Sequence, residues 1–182
     1  MKGIVFTEFL EMVESNFGAD TADHMVEQCA LSSGGAYTAL GTYDHEEIVR
    51  MVKLLSNMTD IQVEELLKSF GRHLLKRFAV LYPGFFDECS DCYTFLDRVE
   101  TTIHTEVYKL YPGSELPTFE TSREGDGFVL VYRSARPFAD LAEGLISGTI
   151  EHYGELVEIE RQDLDPADGT AARFCLARRN VV

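Results

Sequence analysis

The sequence predicts an α+β fold, with a helical N-terminal part and a C-terminal part in which helices accompany an antiparallel sheet. Through residue 111 apolar residues recur at three- and four-residue steps, the spacing of amphipathic helices. After Pro112-Gly113, a predicted helix breaker, short strand-like segments are bounded by turn residues. The 182 residues suffice for one domain with a sizeable core. We expect a single domain over 1–182, with a helical subdomain at about 1–60 and a second subdomain at about 61–182.

Apolar stripes predict five helices before Pro112. Gly18 is expected to end the first helix. Asp44 with Glu47, and Thr59 with Gln62, have the spacing of capping boxes and predict the starts of the third and fourth helices. The five predicted helices cover about 4–16, 20–30, 44–55, 60–81 and 91–111.

Two strand pairs and one helix are predicted after Gly113. Asp126-Gly127 is typical of a tight hairpin loop, so the first two strands are expected to pair directly. In the helix, Gly144 and Gly148 lie four residues apart, which allows a neighbouring element to pack very closely. The strands are expected at about 118–122, 128–134, 156–160 and 173–177, and the helix at about 137–153.

The chain is strongly acidic, since 16 Lys and Arg against 31 Asp and Glu give a net charge of −15. Such a surface repels phosphate backbones and anionic lipid, so we expect neither a nucleic-acid nor a membrane partner. No run approaches the roughly 18–20 apolar residues of a membrane span. Glu8 and Glu11 interrupt what would be the core of a signal peptide. We therefore expect a cytoplasmic protein whose four cysteines are free thiols.

His104 is the first candidate functional residue. It lies one position from the apolar stripe of the predicted helix 91–111, about 100° around the helix, at the edge of the buried face. A lone histidine in such a place is more often a boundary residue with one hydrogen bond than a metal ligand. An imidazole there can nevertheless bind iron.

Tyr132, Ser134 and Arg136 form the second candidate group. They alternate at a period of two, so their side chains are expected on one face of a strand. Arg136 offers a two-pronged donor for a carboxylate, and the two hydroxyl groups add further donors. The alternative is a half-exposed strand that leads into a helix. An imidazole with a carboxylate clamp downstream is what a haem with two propionates requires.

The order of these features resembles the haem nitric oxide/oxygen binding (H-NOX) family over essentially the full length of the chain. The family includes the sensor domain of soluble guanylate cyclase and stand-alone bacterial proteins, and this chain is similar to the stand-alone NO-sensing members. The residues that carry the resemblance are Met1-Lys2-Gly3-Ile4, Phe70-Gly71, Ile103-His104, Lys109-Leu110-Tyr111, Leu116-Pro117, Tyr132, Ser134, Arg136, Gly144-Leu145 and Gly148.

The resemblance implies a haem b buried between the two subdomains. His104 would be the proximal iron ligand, and Tyr132, Ser134 and Arg136 would clamp the propionates. Pro117 matches the proline whose contact is implicated in bending the porphyrin. The residues that match the distal pocket or haem wall are Val5, Phe9, Leu74, Leu141 and Leu145.

The distal positions also bear on which gas is bound. Oxygen on ferrous haem gains partial negative charge and needs a hydrogen-bond donor. Leu141 stands where O₂-binding members place a tyrosine, and Phe9 and Leu74 also lack donors. The sequence therefore predicts an NO sensor that excludes O₂. A helix rotation that turned His73 inward would weaken this prediction, but we expect His73 on the solvent face.

The resemblance also implies a signalling mechanism. NO would break the bond between iron and His104, and the resulting shift would regulate a partner in trans, which is a histidine kinase or a cyclic-di-GMP enzyme among bacterial relatives. The sequence contains no recognisable active site, so we do not expect an enzyme. One alternative is a haem enzyme acting on O₂, peroxide or NO, which would need distal acid–base residues. The other is a thiol redox switch at Cys89 and Cys92, but the acidic residues beside these cysteines argue against a reactive thiolate.

Overall fold

Eight helices, one π-helical turn and four strands make up the described part of the chain, residues 1–111 and 113–179, in the computed structural model. Pro112, predicted to break a helix, lies outside the described residues. The helices are α1 (Gly3–Phe17), α2 (Ala19–Gln28), α3 (Glu46–Thr59), α4 (Val63–Leu81), α5 (Pro83–Asp87), α6 (Cys92–Arg98), α7 (His104–Leu110) and α8 (Ala139–His152). The π turn is Val99–Ile103, and the strands are β1 (Thr118–Glu124), β2 (Gly127–Arg133), β3 (Val157–Asp163) and β4 (Ala171–Arg178). No helix in these ranges is long and apolar enough to cross a membrane.

The strands form one antiparallel sheet in the order β1-β2-β4-β3. Alternate side chains of β2 and β4 point to an inner face that packs against α6 and α8. Phe128 and Phe174 are fully buried on this face, and burial of each ring contributes roughly 1.5–3 kcal/mol. The predicted α+β class, with helices before and beside an antiparallel sheet, is confirmed.

Helices α4 and α8 cross at very close range through glycines. A Cβ added to Gly144 would lie 2.2 Å from the backbone oxygen of Lys68, and one added to Gly71 would lie 2.4 Å from the backbone oxygen of Leu141. No other residue fits at these two positions without moving a helix. The close packing expected at Gly144 is therefore present, and it sets the distance between α4 and α8.

The two predicted capping boxes are wrong. Asp44 accepts a bond from the backbone N–H of Glu46 at 3.1 Å, and the Thr59 hydroxyl donates to the backbone oxygen of Leu55 at 2.8 Å. The predicted hairpin is present, but its two-residue loop is Gly125-Asp126, because Gly127 already pairs with Glu124. Gly125 takes the left-handed conformation that the turn requires, with φ of 60°.

Glu47 points into the protein and fixes the loop before α3. Its buried carboxylate accepts bonds from the Ser32 and Ser33 hydroxyls, the Ser33 backbone N–H and the Tyr37 hydroxyl. Burial alone would raise the pKa of Glu47, but these donors lower it to about 2. The side chain that was expected to cap a helix therefore anchors the loop around 32–37 instead.

Candidate functional site

His104 owes its position to the π turn. The predicted continuous helix 91–111 is interrupted there, since the His104 N–H donates to the backbone oxygen of Val99, five residues back. The extra residue turns the following chain by about 100° relative to an α-helix. His104 thus comes to the face where an α-helix would have placed Ile103, and only 12% of its side chain is exposed.

A carboxylate holds the imidazole of His104 from behind. Nδ1 of His104 lies 3.1 Å from Oε2 of Glu100, and the same oxygen accepts the backbone N–H of Phe119 at 3.1 Å. Burial lowers the pKa of His104, and the Glu100 carboxylate opposes that shift. In the described part of the chain Nε2 has no hydrogen-bond partner. The geometry therefore leaves Nε2 as the one ring nitrogen free to bind a ligand.

Tyr132 is on the sheet, whereas Ser134 and Arg136 are not. Strand β2 ends at Arg133, so the prediction that all three share one strand face is wrong for the latter two. The Ser134 hydroxyl accepts the backbone N–H of Arg136 at 3.1 Å, which makes a turn toward Pro137. Tyr132 is buried, and burial raises its pKa. The turn nevertheless keeps the three polar side chains close together, because Ser134 also lies beside the Tyr132 hydroxyl.

Arg136 already holds a carboxylate. Its Nη2 donates to the Glu115 carboxylate at 2.5 Å, and its Nη1 donates to the Glu115 backbone oxygen at 2.8 Å. The Arg136 side chain is 12% exposed, whereas the Glu115 side chain is 79% exposed. The guanidinium group is thus fixed in the protein, and the carboxylate on it is a surface group that another carboxylate can replace.

One aromatic ring connects these two groups. The Phe119 ring centre is 5.6 Å from that of His104 and 5.7 Å from that of Tyr132. Pro117 is half-buried two residues earlier, immediately before β1. His104, Pro117 and Tyr132 therefore lie around the start of β1.

The five predicted wall residues pack into one apolar cluster. Phe9, Leu74 and Leu141 are buried, and Val5 and Leu145 are half-buried against them. Leu145 also packs into the neighbouring cluster that includes Ile103 of the π turn. The apolar wall on α1, α4 and α8 thus extends to the segment that carries His104.

These residues fit a haem. Helix α7 makes extensive contact only with the π turn among the described elements, so it stands apart from α1, α4 and α8. Half-buried apolar side chains, among them Phe78 and Leu145, belong to both neighbouring clusters, and the His104 imidazole keeps a free Nε2. A flat apolar group with one iron ligand and carboxylates at its edge meets these requirements.

Comparison with known proteins decides the family. A sequence model of the family described as Haem-NO-binding matches residues 2–161. The chain belongs to the haem-NO-binding (H-NOX) family. The resemblance inferred from His104, Pro117 and Tyr132 to Arg136 is confirmed at the level of the family, whose members bind haem and sense gases.

Solved H-NOX structures share the whole fold. The unliganded Fe(II) H-NOX protein from K. algicida has a TM-score of 0.92 and 35% identity, covering 100% of this chain and 99% of that one. The Fe(II)CO H-NOX from Shewanella woodyi has a TM-score of 0.83 and 39% identity, covering 98% and 95%. Soluble guanylate cyclase gcy-35 of Caenorhabditis elegans is 24% identical over 144 residues, 72% of this chain. This H-NOX chain spans only 20% of that cyclase.

His73 of this H-NOX chain is neither in the apolar wall nor on the solvent face. It lies between α1 and α4, with Nε2 buried 3.4 Å from Oε2 of Glu8, and the expectation of a solvent-facing side chain is therefore wrong. Arg77 donates to the same Glu8 oxygen at 2.8 Å. The buried carboxylate of Glu8 attracts both basic side chains, which explains the position of His73.

Four residues that contribute to the candidate site were not predicted: Phe78, Glu100, Glu115 and Phe119. Glu100 could have been found, because it lies four residues before His104, where side chains on a helix meet. Phe78 lies four residues after Leu74 on α4 and packs in the same two clusters as Leu145. Glu115 and Phe119 are brought to the site by the course of the chain between α7 and β1. That segment has no periodic pattern of apolar residues from which their position could be predicted.

The remaining features do not compete with this site. An open groove of about 610 Å³ lies on the outer face of the sheet, but it is lined by charges of both signs, including Glu160 and Arg173, and includes none of the predicted site residues. Cys89 and Cys92 are free and buried. Burial and the neighbouring Glu155 raise the pKa of Cys92 to about 12, which opposes thiolate formation.

Proposed function

We propose that this H-NOX chain is a haem-based NO sensor that holds haem b through Nε2 of His104. The observation that supports the proposal is an imidazole with one free nitrogen, 12% exposed, on a segment whose Ile103 packs in the same cluster as the wall residue Leu145. When bound, the haem would supply a ferrous iron that binds a gas molecule, and NO would weaken the bond between this iron and the imidazole. The remaining steps depend on the protein's own side chains.

Selectivity would come from the wall. Oxygen needs a donor for its partial negative charge, whereas NO does not, because its affinity comes from the bond to iron. The side chains of Phe9, Leu74 and Leu141 have no N–H or O–H to donate, and His73 lies beside Glu8 outside the wall. We therefore expect NO to bind and O₂ to be excluded.

The polar end of the site would orient the cofactor. The proposed clamp is Tyr132, Ser134 and Arg136, and a propionate would replace the exposed Glu115 carboxylate on the Arg136 guanidinium. Exchange of one carboxylate for another keeps the charge balance of the half-buried Arg136. The wall, His104 and Pro117 would hold the rest of the clamped haem.

Signalling would begin when His104 is released. His104 on α7 and Phe119 on β1 both bond to Glu100 on the π turn, so motion of the imidazole reaches the chain near Pro117. We propose that the helical subdomain of about 1–60 then shifts against the rest, and that a partner in trans reads the shift. The proposed partner is a cytoplasmic histidine kinase or cyclic-di-GMP enzyme, and a net charge of −15 would steer the sensor to a basic face on it.

Spectroscopy of the purified protein tests the proposal. The ferrous protein should show a strong haem absorption band, change its spectrum with NO and keep the unliganded spectrum in air until it oxidises. His104→Gly should lose haem unless imidazole is supplied. A protein that takes up no added haemin would refute haem binding, and a stable oxygen complex would refute the gas selectivity.

The two alternatives have less support. A haem enzyme acting on O₂, peroxide or NO would need an acid–base group in the wall, and the wall residues are apolar. A redox switch at Cys89 and Cys92 would need accessible thiolates, and both sulfur-bearing residues are buried. Turnover above that of free haemin would revive the first alternative. Loss of NO signalling in a Cys89→Ser, Cys92→Ser double variant would revive the second.

A further inference from the structure

We infer that Glu100 is a positioning residue that sets the strength of the bond between His104 and iron and links that bond to the start of β1. The inference rests on the proposed haem ligation by His104. It comes from one carboxylate oxygen, Oε2 of Glu100, which accepts both the His104 Nδ1–H and the Phe119 backbone N–H at 3.1 Å.

The contact to His104 determines which nitrogen faces the iron. An imidazole that donates its Nδ1–H to a carboxylate has its lone pair on Nε2, the nitrogen without another partner in the described residues. A carboxylate in this position also makes the imidazole a stronger base and therefore a stronger ligand. Glu100 thus makes His104 harder to release than a histidine backed by a neutral group.

The contact to Phe119 ties the ligand to the sheet. The Phe119 ring faces both His104 and Tyr132, and Phe119 pairs with Tyr132 across β1 and β2. A shift of the imidazole therefore changes a hydrogen bond at β1, two residues from Pro117. Because Glu100 is on the π turn, one side chain connects three elements: the π turn, α7 and β1.

Two substitutions separate charge from shape. Glu100→Gln keeps an oxygen that can accept from Phe119 but removes the negative charge, and Glu100→Leu removes both contacts. Glu106→Gln is the matched control, because Glu106 is two residues past His104 on α7 and pairs with Lys109 at 2.7 Å on the surface. All three proteins are prepared at full length with haem.

The deciding measurement is the iron–histidine stretching frequency of the ferrous protein by resonance Raman spectroscopy. We expect a lower frequency in Glu100→Gln, a still lower one in Glu100→Leu and no change in Glu106→Gln. Loss of the carboxylate should also speed haem dissociation roughly 10- to 100-fold, the usual effect of removing such a partner. The NO-induced loss of the histidine bond should become faster in the same order.

The outcomes distinguish this inference from the proposed function. A wild-type protein with no iron–histidine band refutes ligation by His104 and the inference with it. A wild-type band that is unchanged in both Glu100 variants overturns the inference alone, even if the melting temperature falls, since that result assigns Glu100 a structural role only. If Glu100→Leu does not fold, the frequency of Glu100→Gln decides the matter.

Discussion

Substitution of Gly144 by alanine tests whether the backbone contact between α4 and α8 holds the site together. The added Cβ would lie 2.2 Å from the Lys68 backbone oxygen and 2.8 Å from its carbonyl carbon. Ordinary contact begins at 3.4 Å, so the helices must separate locally by about 1 Å, because no flexible side chain can yield. The separation would also move Leu141, on α8, away from Leu74, on α4.

The cost follows from two opposing effects. Overpacking of this kind costs up to about 3 kcal/mol, and alanine in place of glycine in a helix returns about 1 kcal/mol. The net loss is then about 2 kcal/mol. In a chain of this size each kcal/mol lowers the melting temperature by about 2–4 °C, so we expect a fall of about 4–8 °C.

Thermal unfolding followed by circular dichroism measures the effect. Gly84→Ala is the matched control, since Gly84 is also helical and a Cβ there meets nothing within 4 Å. We expect the control to be as stable as the wild type or up to about 1 kcal/mol more stable, because alanine is the better helix former and nothing obstructs its Cβ. A Gly144→Ala protein that melts with the wild type would show that the helices can separate freely, and the reasoning would be refuted.

Three further predictions concern the wall, the clamp and the loop before α3. Leu141→Tyr should add a hydrogen-bond donor worth about 1.5–3 kcal/mol and so raise the affinity for O₂ roughly 10- to 100-fold. Titration of the ferrous protein with O₂ measures this affinity, and an unchanged value would contradict the assigned place of Leu141. Arg136→Ala should speed the transfer of haem to apomyoglobin roughly 10- to 100-fold. Glu115→Gln should not speed it, because this change removes only a carboxylate that competes with the propionate for Arg136. The pKa of Glu47 is lowered from 4.5 to about 2. Its ionised carboxylate therefore contributes roughly 3 kcal/mol to the free energy of unfolding above pH 4.5, and this contribution is lost as the pH falls toward 2. Urea unfolding should therefore show Glu47→Gln less stable than the wild type at pH 6, with the difference shrinking below pH 4.

Most of the fold could be predicted because the helices and strands bury regular stripes. The first helix, predicted at about 4–16, is Gly3–Phe17, and each predicted strand is present within a few residues. The π turn could not be predicted in this way. It differs from an α-helix by one shifted hydrogen bond, and the apolar spacing through Val99 and Ile103 is the same in both cases.

The site residues depend more on tertiary structure. His104 and Tyr132 could be singled out by residue type and order, and their roles toward haem stay predictions. Ser134 and Arg136 were placed on a strand because they continue its alternation, but the Ser134 hydroxyl turns the chain after Arg133. Similarly, Glu47 has the spacing of a cap but serves a loop 15 residues away at Ser32. Local patterns do not reveal a partner that the chain brings in from a distance.

The contact of Glu8 with His73 and Arg77 bears on how stiff the proposed distal wall is. Glu8 lies on α1 between the wall residues Val5 and Phe9, and its carboxylate is shared by two side chains of α4. The Glu8 carboxylate is itself buried and receives a hydrogen bond from Arg77 across the two helices, so this contact resists separation of α1 from α4. If the proposed wall does face a gas molecule, it would do so as a stiff surface, and the residence time of the gas would depend on the chemistry of the wall rather than on an opening motion.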